Sequence, residues 1–183
     1  MKTLTQIWPN VPADWADIAV PSIVSDSRLV KPGSVFVALA GLHHDARRHV
    51  PAAVAAGASV ILVEAGGDWL THQLLDGVPV LVVPELTQQL GYFAARFYDQ
   101  PAAQMTVMAV TGTNGKTSIA NLIAGAAQQL GRRSAVIGTL GNGFYGELAA
   151  SQFTTPDPLQ LQGLLAGFRD QGARLVAMEA SSH

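Results

Sequence analysis

MTVMAVTGTNGKTS, residues 105–118, is the stretch that decides the fold class of this chain. Met105–Val110 is a short apolar run and reads as a strand. TGTNG then turns tightly, and SIANLIAGAAQQLG (118–131) reads as a helix. A glycine-rich loop between a strand and a helix can turn several backbone N–H groups toward one point, forming a nest for oxyanions. The helix N-terminus adds roughly half a positive charge there. In that setting Lys116 would reach the β- and γ-phosphates of a nucleotide, and Thr117 would hold Mg²⁺ through its hydroxyl. Gly112, Thr113, Asn114, Gly115, Lys116, Thr117 and Ser118 are therefore the candidate nucleotide-binding residues, with Lys116 the candidate catalytic one. The general pattern G-x-x-x-x-G-K-[ST] is not met in full, because Val110 stands where its first glycine belongs.

Downstream, Ser134–Gly138 reads as a second strand and NGFYGELAASQF (142–153) as a hairpin or loop. DPLQLQGLLAGFRDQG (157–172) reads as a helix, with Leu161, Leu164, Leu165 and Phe168 on one face and Gly172 as its stop. ARLVAMEASSH ends on a third strand. A doubly wound sheet usually has five or more strands, so the expectation is the first part of a larger nucleotide-binding domain.

Upstream, SVFVALAG (34–41), SVILVE (59–64) and VPVLVV (78–83) read as strands, with HVPAAVAAGA (49–58) as a helix between them. LTQQLGYFAARFY (86–98) places Leu86, Leu90, Phe93, Ala94 and Phe97 at helical spacing. DQPAAQ (99–104) breaks the pattern and is the candidate linker. The expected organisation is α/β throughout, with an N-terminal domain over 1–100 and a P-loop-containing, doubly wound domain beginning at 101 and running to 183.

Composition narrows the class. With 49% apolar and 13% charged residues the chain is not disordered, and a formal net charge of -2 gives no footprint for nucleic acid. There is no cysteine, which excludes a disulfide framework and favours a cytoplasmic setting. Neither a secretory signal nor a membrane insertion is expected, since the most apolar stretch, Pro51–Val63, falls short of the ~20 residues a span requires.

TGTNGKT (111–117) resembles the ATP loop of the Mur ligase family. Ser25-Asp26-Ser27-Arg28, Lys31-Pro32-Gly33-Ser34-Val35-Phe36, Asp45-Ala46-Arg47-Arg48 and the phrase from Phe97 to Pro101 are similar to that family's N-terminal substrate domain. Ala46 departs from it, standing where the family usually has glycine. Thr154-Thr155-Pro156 and Met178-Glu179-Ala180-Ser181-Ser182-His183 resemble the branch that adds the third amino acid to the peptidoglycan precursor, rather than the D-Ala-D-Ala-adding or folate branches.

The resemblance implies ATP and Mg²⁺ as cofactors. It implies UDP-N-acetylmuramoyl-L-Ala-D-Glu and a diamino acid as substrates, with meso-diaminopimelate favoured over lysine by Ile137–Asn142. It places Ser25, Ser27, Leu42, His43 and His44 at the UDP end and Thr154, Thr155 and Ser181 at the muramoyl-peptide end, with Thr117 and Glu179 on the metal. It also implies a C-terminal domain absent from these residues, so the expected fragment is inactive alone. On residue chemistry alone, Ser25 and Ser27 read as ordinary turn residues. Thr154 and Thr155 read as the approach to a helix, and Glu179 as a solvated or salt-bridged side chain. Another ligase of the family, adding D-Ala-D-Ala, and a non-catalytic nucleotide-binding module stay open as alternatives.

Overall fold

The computed structural model describes residues 1–41, 45–151 and 154–181. They form two compact units, Met1–Phe97 and Tyr98–His183.

In the first unit β1 (Lys2–Thr3) leads into α1 (Leu4–Ile7) and pairs antiparallel with β2 (Ala19–Val20). The main sheet follows: β3 (Ile23–Val24), β4 (Val35–Ala38), α2 (Val50–Ala55), β5 (Val60–Glu64), β6 (Gln73–Leu75), β7 (Val78–Val83) and α3 (Leu86–Phe97). Its spatial order is β3-β4-β5-β7-β6, parallel except for β6 at the edge. Parallel strands are covered on both faces, which is why β4, β5 and β7 are nearly continuous apolar runs. Phe36, Ala38, Ile61, Val63, Val80 and Val82 share one face with Val50 and Ala53 of α2. The alternate residues Val35, Val37, Leu62 and Leu81 are also buried, and α3 packs on β5 and α1.

The loop ends of this sheet are held by two carboxylates. Glu64 accepts from the Ala40 N–H (2.9 Å), the Thr87 N–H (3.1 Å) and the Thr87 hydroxyl (2.8 Å), tying the end of β4 to the first turn of α3. Burial alone would push its pKa up; the hydrogen bonds from Ala40 and Thr87 and the nearby Arg47 charge outweigh it and hold it low. Asp45 accepts from the Arg47 N–H (3.0 Å), Nε (2.9 Å) and Nη2 (2.8 Å), capping the short 3₁₀ turn Ala46–His49. Hydrogen bonding to the Arg47 side chain, then to its backbone, lowers Asp45 to about 2 against burial.

An unfolded Asp titrates near ~3.9, so Asp45 stabilises the fold fully above about pH 4 and loses that contribution as the pH falls toward ~2. Arg47→Met should return the Asp45 carboxyl to near 4 in an NMR titration. A value still near 2 would show that something other than Arg47 holds it.

The second unit contains β8 (Thr106–Val110), α4 (Lys116–Gln129), β9 (Ser134–Gly138), β10 (Gly141–Phe144), β11 (Glu147–Ala149), α5 (Pro158–Asp170) and β12 (Leu175–Glu179). The strand order is β11-β10-β9-β12-β8; β9, β12 and β8 run parallel, while β10 is antiparallel to both neighbours. The helices cover opposite faces. Ala120, Ala124 and Ala127 of α4 meet Val136, Leu175 and Ala177. Leu165 and Phe168 of α5 meet Ala135, Ile137, Val176 and Met178. Asp157 caps α5 by accepting from the Leu159 (2.8 Å) and Gln160 (2.9 Å) N–H groups, with Pro158 at the first helical position.

DQPAAQ is not a free connector: Pro101–Ala103 is a 3₁₀ turn packed against α5, and Pro101 is buried. No helix among the described residues is long and apolar enough to cross a membrane.

Candidate functional site

The site of the second unit follows from strand register. In the parallel pair of β12 with β8, Glu179 lies opposite Val110, the last strand residue before the glycine loop. The Ala180 N–H donates to the Val110 carbonyl at 2.9 Å, so the two strand ends are fastened side by side. Val110, at the position of the general motif's first glycine, is therefore still strand, partly buried against the α4 cluster. The turn begins at Gly112, with φ +143°. Gly115 has φ +78° and is the N-cap of α4, a left-handed conformation that a side chain would strain.

Helix α4 starts at Lys116, two residues before the Ser118 start read from the sequence. Lys116, Thr117 and Ser118 thus sit on its first turn, where backbone N–H groups lack intrahelical partners. Thr113 and Asn114 are exposed on the loop. The Lys116 Nζ donates to the Gly112 carbonyl at 2.7 Å, folding the ammonium across the loop.

Alternation along β12 sends Ala177 to the α4 face, so Glu179, two residues on, points to that face as well. There it meets the first turn of α4: the Thr117 hydroxyl donates to Glu179 Oε2 at 2.8 Å. The Thr139 N–H donates to Oε1 at 2.8 Å, and the Thr139 hydroxyl to Oε2 at 3.2 Å. Glu179 is 1% exposed, so these donors stand in for the water it has lost. Gly138 provides the space; a Cβ there would lie 2.2 Å from Glu179 Oε1.

The threonine pair joins the same cluster. Thr154 Oγ1 lies 3.2 Å from Thr139 Oγ1. The Thr155 hydroxyl donates to the Glu179 carbonyl (3.1 Å) and accepts from the Ser181 N–H (3.0 Å). One hydrogen-bonded cluster therefore joins the phosphate loop, Glu179, Thr154, Thr155 and Ser181. Among the described residues no group of three His, Cys, Asp or Glu could enclose a metal by itself. One carboxylate beside a hydroxyl suits Mg²⁺, which commonly takes the rest of its shell from phosphate and water.

In the first unit Ser25 and Ser27, both half-buried, line a cleft of about 610 Å³ with Asp26, Arg28, Ala46 and His49. Ser25 follows directly on β3, so the cleft opens at the carboxyl end of a parallel strand, where α/β sheets bind ligands. Asp26 is held at about 2, first by the Arg28 side chain and then by its N–H. Leu42, His43 and His44 lie outside the described residues.

Sequence reasoning did not select Gly138 and Thr139. The available signal was a glycine closing an apolar strand and followed by a hydroxyl residue.

Residues 110–183 match the family model of the Mur ligase middle domain. The chain is 42% identical over 181 residues to the UDP-N-acetylmuramoyl-L-alanyl-D-glutamate–2,6-diaminopimelate ligase of Pseudomonas aeruginosa, covering 99% of this chain and 36% of that protein. It is 43% identical over 168 residues to the same-named protein of Coxiella burnetii, covering 92% and 34%. A solved diaminopimelate ligase structure superposes over the whole chain and 36% of its own, with a TM-score of 0.84 and 34% identity. A UDP-N-acetylmuramoylalanyl-D-glutamyl-2,6-diaminopimelate–D-alanyl-D-alanyl ligase from Acinetobacter baumannii superposes with a TM-score of 0.61 and 25% identity, over 98% of this chain and 36% of that one. The chain spans about a third of the length of the curated relatives it matches.

Proposed function

We propose, from the match of residues 110–183 to the Mur ligase middle domain, that the chain carries the substrate- and phosphate-binding portions of an ATP-dependent amide ligase. The reaction is addition of the third amino acid, meso-diaminopimelate, to UDP-N-acetylmuramoyl-L-Ala-D-Glu. The observation that carries this reading is the cluster Thr117–Glu179–Thr139–Thr154, which runs without interruption from the phosphate loop to the threonine pair. The similarity to diaminopimelate ligases, higher in identity and in TM-score than that to the D-alanyl-D-alanine ligase, favours this branch.

In the proposed reaction the D-Glu side-chain carboxylate attacks the γ-phosphorus of ATP, ADP leaves, and an acyl phosphate forms. The amine of the incoming amino acid attacks the acyl carbon, phosphate leaves, the nitrogen loses a proton and the amide results. The N–H groups of the loop and of the first turn of α4 bind the phosphates, and Lys116 offsets charge on the transferring group. Thr117 and Glu179 would hold Mg²⁺, which when bound neutralises phosphate charge. Thr154, Thr155 and Ser181 would orient the muramoyl-peptide carboxylate, while Ser25 and Ser27, with the 42–44 segment, would receive the UDP end. Nucleotide substrates and the absence of cysteine favour a cytoplasmic site of action.

The test is calorimetric titration of this chain with Mg·ATP, with UDP-N-acetylmuramoyl-L-Ala-D-Glu, and with the same compound lacking D-Glu. Mg·ATP should bind, and the dipeptide should bind at least about tenfold more tightly than its truncated control, the value of one charge-assisted hydrogen bond. Absence of Mg·ATP binding by the folded chain would overturn the ligase reading. Equal affinity for the two muramoyl compounds would overturn the assignment of this substrate.

A further inference from the structure

The Glu179 carboxylate has a partner that neither the phosphate loop nor the threonine pair accounts for. Gly138 and Thr139 form a cradle around it. Gly138 lies on β9 one residue beyond the Ile137–Met178 pair, so it flanks Glu179 on the neighbouring strand. A Cβ at Gly138 would sit 2.2 Å from Oε1, 2.8 Å from the carboxyl carbon and 2.9 Å from Cγ, so the carboxylate occupies the volume that any other residue would fill. Thr139 then binds both oxygens, its N–H to Oε1 at 2.8 Å and its hydroxyl to Oε2 at 3.2 Å.

The two contacts differ in what they can do. The N–H is fixed by the backbone and holds Oε1 in one place. The hydroxyl has a single proton and two neighbours, Glu179 Oε2 and Thr154 Oγ1, each at 3.2 Å. The Thr139 hydroxyl donates to Glu179 Oε2, so its one proton is committed there and Thr154 donates in turn to Thr139. The chain of protons therefore runs Thr154 to Thr139 to Glu179, and it aligns Oε2, the oxygen that also accepts from Thr117.

We propose that Thr139 is a positioning residue for the cation carboxylate: it fixes the rotamer of Glu179 so that Oε2 faces the phosphate loop, and it links that oxygen to Thr154. The inference rests on the reading of Glu179 and Thr117 as the Mg²⁺ ligands and adds a residue which that reading does not contain.

The test uses Mn²⁺ as an EPR-visible stand-in for Mg²⁺, titrated into the chain with ADP, alongside ADP titrations without metal. Thr139→Val keeps the N–H and removes only the hydroxyl. It should weaken Mn²⁺ binding about tenfold while changing metal-free ADP affinity less than about twofold. Thr139→Ser, which keeps the hydroxyl, should bind Mn²⁺ within about twofold of the unaltered chain. Wild-type Mn²⁺ affinity in Thr139→Val would overturn the proposal. So would equal weakening with and without metal, which marks a merely structural role, or failure of Thr139→Ser to restore binding. Glu179→Gln separates the two levels of inference. If it binds Mn²⁺ normally, or if the unaltered chain binds none, the metal reading fails and Thr139's role falls with it. If Glu179→Gln alone weakens binding, the metal reading stands and the role of Thr139 does not.

Discussion

Replacing Lys116 by methionine is expected to weaken ATP binding on the order of a hundredfold while leaving the thermal unfolding midpoint of the chain nearly unchanged. Lys116 is half-buried on the first turn of α4, and its ammonium donates to the Gly112 carbonyl at 2.7 Å. That carbonyl belongs to an exposed loop, so water replaces the lysine when it is removed and the fold loses little. A bound triphosphate has no such substitute. Two charge-assisted hydrogen bonds, each worth ~1.5–3 kcal/mol, correspond to a loss of ~10²-fold or more.

Methionine keeps the length of the side chain and its packing, so the difference reads the charge. Lys116→Arg should recover only part of the affinity, because a planar guanidinium does not deliver a point charge to the same place. Equilibrium titration with ATP and a melt of each variant measure both quantities. An unchanged ATP affinity in Lys116→Met would remove Lys116 from the phosphate site. A large fall in the melting temperature would mean that the lysine supports the loop itself.

The loop could be found from sequence because its chemistry is local: strand, glycine turn and helix follow one another in the chain. The sequence also suggested both sheets, since parallel strands such as Val60–Glu64 and Val78–Val83 are buried on both faces and read as unbroken apolar runs. Strands of two or three residues, such as Ile23–Val24 and Gln73–Leu75, are too short to show a period, and β3 and β6 went unread for that reason. The start of α4 was placed late for a related reason: its first apolar side chain is Ile119, whereas the backbone becomes helical at Lys116, after the left-handed Gly115. The resemblance to a family, not spacing, singled out Glu179, Thr154 and Thr155. Their meeting depends on the register of β12 against β8 and β9, which joins residues some forty to seventy positions apart. Gly138 and Thr139 were missed because a glycine chosen to leave room for another strand's side chain looks, in sequence, like any glycine at a strand end.

That missed glycine carries a large expected stability effect. Gly138→Ala should destabilise the second unit by about 3 kcal/mol, lowering its melting temperature on the order of 10–20 °C, and should abolish metal-dependent nucleotide binding. Backbone strain is not the cause, since Gly138 lies in β9 and is not among the positive-φ glycines. The cause is contact: the new methyl would meet Oε1, Cδ and Cγ of Glu179, all within 2.9 Å. Rotating the carboxyl end alone cannot relieve the Cγ contact, so the whole side chain must move. Moving it takes a buried carboxylate away from the Thr139 N–H and the Thr117 hydroxyl and leaves those donors unpaired. The companion variant isolates this mechanism. Glu179→Ala removes every atom that the methyl would strike, so Gly138→Ala/Glu179→Ala should melt higher than Gly138→Ala alone, although neither would hold a cation. Such a non-additive result is expected only of residues in direct contact. If the double variant is instead the less stable by the sum of the two single losses, Gly138 is not shaped around Glu179, and the cradle that orients the carboxylate toward the phosphate loop is wrong.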